Sequence, residues 1–168
     1  MNYLIRPETP ADVASIHALT AAAFAHAAHS SHTEAFIVDA LRARVELTVS
    51  LVAVDESRLL GHVAVSPVSI SDGSAGWFGL GPISVAPAWQ GQGIGSALMD
   101  AAIDALRRQH ARGCVLLGEP AYYHRFGFRA EPALVLPGVP AGYFQALCLQ
   151  PPLPQGEVRY SPAFEATA

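Results

Sequence analysis

Glycines 91, 93 and 95 stand at alternate positions in Gln90-Gly91-Gln92-Gly93-Ile94-Gly95-Ser96. An apolar run from Trp77 to Val85 precedes them, and a helical pattern begins just past Gly91. Glycine lets backbone approach a ligand closely and takes φ > 0 without steric cost. Free amides at a helix N-terminus, with the positive end of the macrodipole behind them, bind phosphate. No acidic residue lies between Gly73 and Met99 to repel such a group. The chemistry on offer is anion binding by backbone. A dinucleotide fingerprint, G-x-G-x-x-G, would need its third glycine where Ser96 stands, and no Lys follows the glycines as in a nucleotide P-loop. What remains is Gln90-x-x-Gly93-x-Gly95 after a strand ending Val85-x-Pro87. On these residues alone, a pyrophosphate loop and a glycine-rich turn before a packed helix both stay open.

The elements around the loop are read from periodicity and turn residues. Tyr3–Arg6 reads as a first strand. Thr9-Pro10-Ala11-Asp12 supplies an N-cap, a proline at the first helical position and an acidic residue three after the cap, ahead of Val13, Ile16 and Leu19 at helical spacing. Glu34–Arg44 repeats that spacing as a second short helix. Leu47–Val54, Leu59–Ile70 and Trp77–Val85 read as three strands joined by the polar turns Asp55-Glu56-Ser57 and Ser71-Asp72-Gly73-Ser74, which predicts an antiparallel meander. Ile94, Leu98, Ala101, Ala105 and Leu106 mark one face of a long helix that Gly113 is expected to stop. Cys114–Leu117 is short, wholly apolar and reads as a buried strand parallel to Trp77–Val85. A helical turn closed by Gly127 follows, then a Pro- and Gly-rich stretch, 130–142. Phe144–Leu149 is expected to be the last strand, and the tail 151–168 to lie over the surface or fray. No internal repeat and no second domain is visible, so 1–168 reads as a single α/β domain.

Composition bounds the function. The chain has 168 residues, 51% hydrophobic and 14% charged, with net charge −4. Such a chain folds around a core and has no electrostatic footprint for nucleic acid or an anionic membrane. All ten basic residues are arginine. Cys114 and Cys148 each lie in an apolar run, lack a C-x-x-C partner and read as reduced core residues. His26, His29 and His32 have helical spacing but no acidic or Cys partner within their stretch, so they read as solvated or loop histidines, and no metal is expected. The start carries no signal-peptide pattern and no apolar run reaches spanning length, which makes a cytoplasmic location the expectation.

Two motifs in order carry a resemblance. Gln90-x-x-Gly93-x-Gly95 resembles the acyl-CoA loop, Q/R-x-x-G-x-G/A, of the GNAT superfamily of N-acyltransferases, and Tyr123-x-x-x-Gly127-Phe128 resembles its second signature, Y-x-x-x-G-F. The resemblance runs from about Tyr3 to Gln150, and Pro120-Ala-Tyr-Tyr-His-Arg-Phe-Gly-Phe128 is most like the small bacterial YhbS-like acetyltransferases. It implies a mixed, mostly antiparallel sheet flanked by helices, with one parallel βαβ unit splayed to hold CoA. It implies that Gln90, Gly91, Gln92, Gly93, Ile94, Gly95 and Ser96 hold the pyrophosphate of acetyl-CoA. Ile83, Ser84 and Val85 would meet pantetheine through their backbone, Gly118 would border the gap, and Tyr123 would sit near the thioester sulfur as general acid.

The implied reaction is direct attack of a primary amine on the thioester. Where many relatives carry an Asn, this chain has Gly118-Glu119-Pro120, so Glu119 is the first candidate for the base, with a plain helix-N-terminal carboxylate and a water chain as the other readings. The expected partner is a small-molecule or peptide amine, residues 24–34 and 71–78 are expected to border its pocket, and a homodimer is allowed. The competing function is a non-catalytic acyl-CoA-binding sensor.

Overall fold

The computed structural model describes residues 2–28 and 30–168; His29, the middle member of the histidine series, lies outside them. Strand β1 (Leu4–Pro7) leads through a 3₁₀ turn, Pro10–Asp12, into α1 (Val13–Phe24). Asp12 accepts the backbone N–H of Thr9 at 2.7 Å and pairs with the Arg6 guanidinium at 2.7 and 3.2 Å. The bond from Arg6 holds the Asp12 carboxyl down to about 2. Next come α2 (Glu34–Ala43), β2 (Val49–Asp55), β3 (Arg58–Pro67), β4 (Ser69–Ile70) and β5 (Trp77–Val85). After the glycine loop come α3 (Ile94–Arg108), β6 (Gly113–Leu117), α4 (Pro120–Tyr123), β7 (Leu134–Val135), β8 (Phe144–Cys148) and β9 (Gly156–Arg159).

The large sheet has the order β1-β2-β3-β5-β6-β8, antiparallel throughout except for the β5–β6 pair. Alternation along its strands sends successive side chains to opposite layers. Ala53, Val63 and Val65 pack with Leu98, Met99, Ala102 and Leu106 of α3. Val52, Val54 and Ala64 pack with Ile16 of α1 and Val38 of α2. The result is a helix–sheet–helix sandwich whose central strands are buried on both faces.

Four expectations need correction. The run Leu59–Ile70 is two strands, because past Pro67 the chain leaves the large sheet and β4 joins β9 and β7 in a second, three-stranded sheet. Helix α3 ends at Arg108, before Gly113: His110 takes φ 59, the left-handed turn usually given to glycine, and the Ala111 amide closes on the Leu106 carbonyl at 3.0 Å. Gly113 instead opens β6, where a Cβ would sit 2.4 Å from the buried Trp77 ring. The tail neither frays nor merely covers: β9 pairs with β4 and β7, and Val158 and Ala163 are buried. Cys114 is buried, but Cys148, the last residue of its strand, is exposed.

Candidate active site

Strands β5 and β6 pair over only three residues, Trp77–Gly113, Phe78–Cys114 and Gly79–Val115, and then part. On its other edge β5 keeps its partner β3, but Gly81 and Pro82 bulge opposite Ala64 between the Leu80–Val65 and Ile83–Val63 pairs. Strand β6 stays paired with β8 through Leu117. The facing edges of Leu80–Val85 and Leu116–Leu117 therefore carry backbone groups with no ladder between them, and an amide-bearing ligand can satisfy such groups. Ser84 is buried, with no hydrogen-bond partner for its hydroxyl among the described residues.

At the far end of β5 the glycine loop forms a cavity of about 400 Å³. Gly91 and Gly93 take φ 74 and 89, so the loop turns through conformations that suit glycine, and Gly93 caps α3. Gly91, Gly93, Gly95, Gln90 and Ser96 line the cavity. The Gln90 side chain braces the loop by donating to the Val85 carbonyl at 3.0 Å. Ile94 contributes its first-turn backbone while its side chain is buried in the core, and Gln92 is exposed outside the lining. Opposite the loop stand Tyr122 and Arg125, which the motif reading passed over. The Tyr122 hydroxyl lies 3.1 Å from that of Ser96, and the Arg125 guanidinium stacks 4.4 Å above the Tyr122 ring. Their three-residue helical separation was the available signal. An anion here meets loop amides, a helix N-terminus and one guanidinium.

Beside the middle of β5 a second cavity, of about 450 Å³, is lined by Leu80–Ile83, Tyr123 and residues of α1, α2 and the tail. Tyr123 is set by Gly118: a Cβ there would fall 2.3 Å from the ring's Cε2, so only glycine admits it. The Gly118 amide donates to the Tyr143 carbonyl and its own carbonyl accepts from Gln145 Nε2, so Gly118 offers space rather than free polar groups. Burial, aided by Tyr122, raises the Tyr123 pKa above its usual 10. Glu119 is not brought to this cavity: with Pro120 starting α4, it sits at the N-cap, exposed and outside the lining. The carboxylate that does line it is Glu34. Of the two expected border segments, 24–34 contributes Phe24 and Glu34, whereas 71–78 contributes nothing. Ser71 and Asp72 are instead tied to the tail, through the Glu157 carbonyl and the Gln155 amide. The tail fills the place with Tyr160 and Phe164.

Comparison with known proteins agrees with this geometry. Residues 46–130 match the model of the acetyltransferase (GNAT) domain. The chain is 39% identical over 126 residues to the uncharacterized N-acetyltransferase YhbS of Escherichia coli K12, across 74% of this chain and 72% of that one. The chain belongs to the GNAT acetyltransferase family. Among solved structures, a GNAT family acetyltransferase from Brucella melitensis in complex with acetyl-CoA superposes with a TM-score of 0.87 at 49% identity, covering 97% of this chain and 98% of that one. The E. coli YhbS structure in complex with CoA gives 0.89 at 33% identity, covering 100% and 94%.

On the α1–α2 face of the sheet, this acetyltransferase carries a half-buried polar chain, ending in the buried His62, that the sequence reading did not single out. Glu8 pairs with Arg42 at 2.9 and 3.0 Å and accepts the Ser50 hydroxyl proton, and Ser50 Oγ lies 2.8 Å from His62 Nε2. With the Ser50 proton committed to Glu8, Nε2 must carry the imidazole proton. Nδ1 is then an acceptor, without a partner among the described residues. Burial pushes the His62 pKa down to about 4. Among the described residues no group of three His, Cys, Asp or Glu side chains is gathered to hold a metal, and His32 Nδ1 meets the Phe24 carbonyl at 2.9 Å. No helix among those residues is long and apolar enough to cross a membrane.

Proposed function

We propose that this chain moves the acetyl group of acetyl-CoA directly onto a primary amine. The observation that carries the reading is the unpaired edge of β5, whose Leu80–Ile83 line the Tyr123 cavity while Val85 lines the loop cavity. Those residues extend over roughly 16 Å at ~3.3 Å per residue, a length suited to an extended amide-bearing arm between a phosphate group and a reacting thioester. Backbone amides of Gly91–Ser96 hold the pyrophosphate, with Arg125 as a further cation beside it. Ile83, Ser84 and Val85 offer backbone to pantetheine.

Alkylammonium groups have a pKa near 10.4, so about one molecule in a thousand is nucleophilic at neutral pH. The acceptor enters as its ammonium and gives one proton to water; the neutral amine then attacks the carbonyl carbon, the C–N bond forms, and the C–S bond breaks with its electron pair left on sulfur. Tyr123, kept protonated by burial, donates toward the sulfur as that charge builds. The proton lost by the amine passes to water and returns through it to the phenol to close the cycle; Glu119, exposed at the N-cap of α4, stands outside this path.

A thiol-release assay with acetyl-CoA and a panel of amines tests the reaction, and calorimetry tests the loop. Gly93→Asp places negative charge against the pyrophosphate and a side chain at φ 89, and is expected to abolish acetyl-CoA binding in a folded protein. Unchanged affinity in that variant would overturn the loop assignment.

A further inference from the structure

We propose that the acceptor is a primary amine with a single positive charge and a bulky apolar group, aromatic or branched, and that Glu34 is the partner of its ammonium. This rests on the acetyl-transfer reading above. The cavity of about 450 Å³, part of which the acetyl end of the cofactor takes, leaves room for a small amine or one terminal side chain. Most of its lining is apolar: Phe24 and Ile37 from the helices, Leu80 and Ile83 from β5, and Leu116 from β6. The tail adds an aromatic pair to the lining, Tyr160 and Phe164, stacked edge to face at 4.9 Å. The fold makes room for that pair, since a Cβ on Gly79 would sit 2.7 Å from the Tyr160 ring.

Within this lining Glu34 is the one charged side chain among the described residues. It is held in place: the Ser30 hydroxyl lies 2.7 Å from each carboxylate oxygen, and the residue occupies the first turn of α2. One hydroxyl proton leaves most of the carboxylate's acceptor positions free for an ammonium. A second or third ammonium would face hydrocarbon without a counter-charge, and sugar hydroxyls would lose their hydrogen bonds to water. The amine of a free arylalkylamine and the α-amine of a peptide beginning with Phe present the same chemistry to this wall.

The test is free-thiol release with 2-phenylethylamine, the peptide Phe-Ala-Ala, spermidine and kanamycin, on the wild type and on Glu34→Gln. One or both of the first two should exceed spermidine and kanamycin at least a hundredfold in kcat/KM, and the ratio between them tells a free amine from a peptide terminus. Glu34→Gln should raise the KM of the preferred amine at least tenfold while the calorimetric Kd for acetyl-CoA stays within twofold. Ser30→Ala, which frees the carboxylate without removing it, should raise that KM by a smaller factor and serves if Glu34→Gln does not fold. Preference for spermidine or kanamycin would overturn the proposal and leave acetyl transfer standing; acetyl-CoA binding without turnover of any of the four would overturn the proposal and favour a non-catalytic acyl-CoA sensor. An unchanged KM in both variants would remove Glu34 from recognition. Failure to bind acetyl-CoA at all would overturn the acetyl-transfer reading, and the proposal with it.

Discussion

The hydroxyl of Tyr122 lies 3.1 Å from that of Ser96, which ties the short helix α4 to the first turn of α3 across 26 residues of chain. Its neighbour Tyr123 meets it edge to face, with ring centroids 4.8 Å apart and planes at 86°. One lines the glycine-loop cavity and the other the cavity beside Leu80–Ile83, so two adjacent residues stand between the two cavities.

Tyr122→Phe should weaken acetyl-CoA binding without unfolding the domain. The change keeps the ring and its stack with Arg125 and removes one hydroxyl–hydroxyl bond, worth about 1 kcal/mol. That corresponds to roughly a fivefold rise in Kd by calorimetry. An unchanged Kd would show that Ser96 is held without the strut.

What the sequence made legible is what is local. The glycine spacing, the strand before it, the amphipathic face of α3 and the Tyr123–Gly127 turn are each encoded within a dozen residues, and all lie where periodicity and turn chemistry put them. What it hid is what depends on distant pairing. Strand β4 has two residues and β9 four, too short to show a period, and they find each other across more than eighty residues. Tyr160 and Phe164 reach the Tyr123 cavity through that pairing. Glu119 drew notice by its nearness in sequence to Tyr123, yet nearness along the chain did not turn its side chain inward, whereas Glu34, 89 positions from Tyr123, shares its cavity.

The cysteines should prove dispensable for turnover. A ping-pong route needs a thiolate nucleophile, and thiolates form where the pKa is lowered. Burial pushes the Cys114 thiol up to about 12, and Cys148 stands exposed at the end of β8. Replacing both by alanine should cost stability, through the small void left at Cys114, while kcat per folded molecule changes less than threefold. An acetylated cysteine isolated during turnover would contradict direct transfer.

Stability should rise with pH between about 4 and 6.5 because of His62. The unfolded imidazole titrates near 6.5 and the buried one near 4, so within that window the unfolded chain binds a proton that the folded chain does not. The neutral, buried form is fully favoured above 6.5. Its contribution falls as the pH drops through the window and levels off below 4, for a total of about 3 kcal/mol at 1.36 kcal/mol per unit. Urea unfolding at several pH values should give a slope in the wild type that flattens in His62→Leu, whatever the variant's absolute stability. Equal slopes would mean that His62 is protonated in the fold.

Tyr123 separates turnover from mere cofactor binding. Tyr123→Phe retains the ring that packs on Gly118 and stacks with Tyr122, and removes only the phenolic proton. Acetyl-CoA affinity should stay within twofold, since the loop and the β5 edge supply it. With an accepted amine, kcat should fall by roughly 10²-fold, the scale for loss of a positioned general acid. The pH profile adds a check that packing alone would not move. Because burial raises the phenol's pKa above 10, wild-type kcat should begin to fall only on the alkaline side of that value, and the variant should lack this limb. If Tyr123 served packing alone, phenylalanine would keep its contacts, and Tm and kcat would both stay unchanged. Equal kcat in the two proteins would leave water as the proton donor to the departing sulfur.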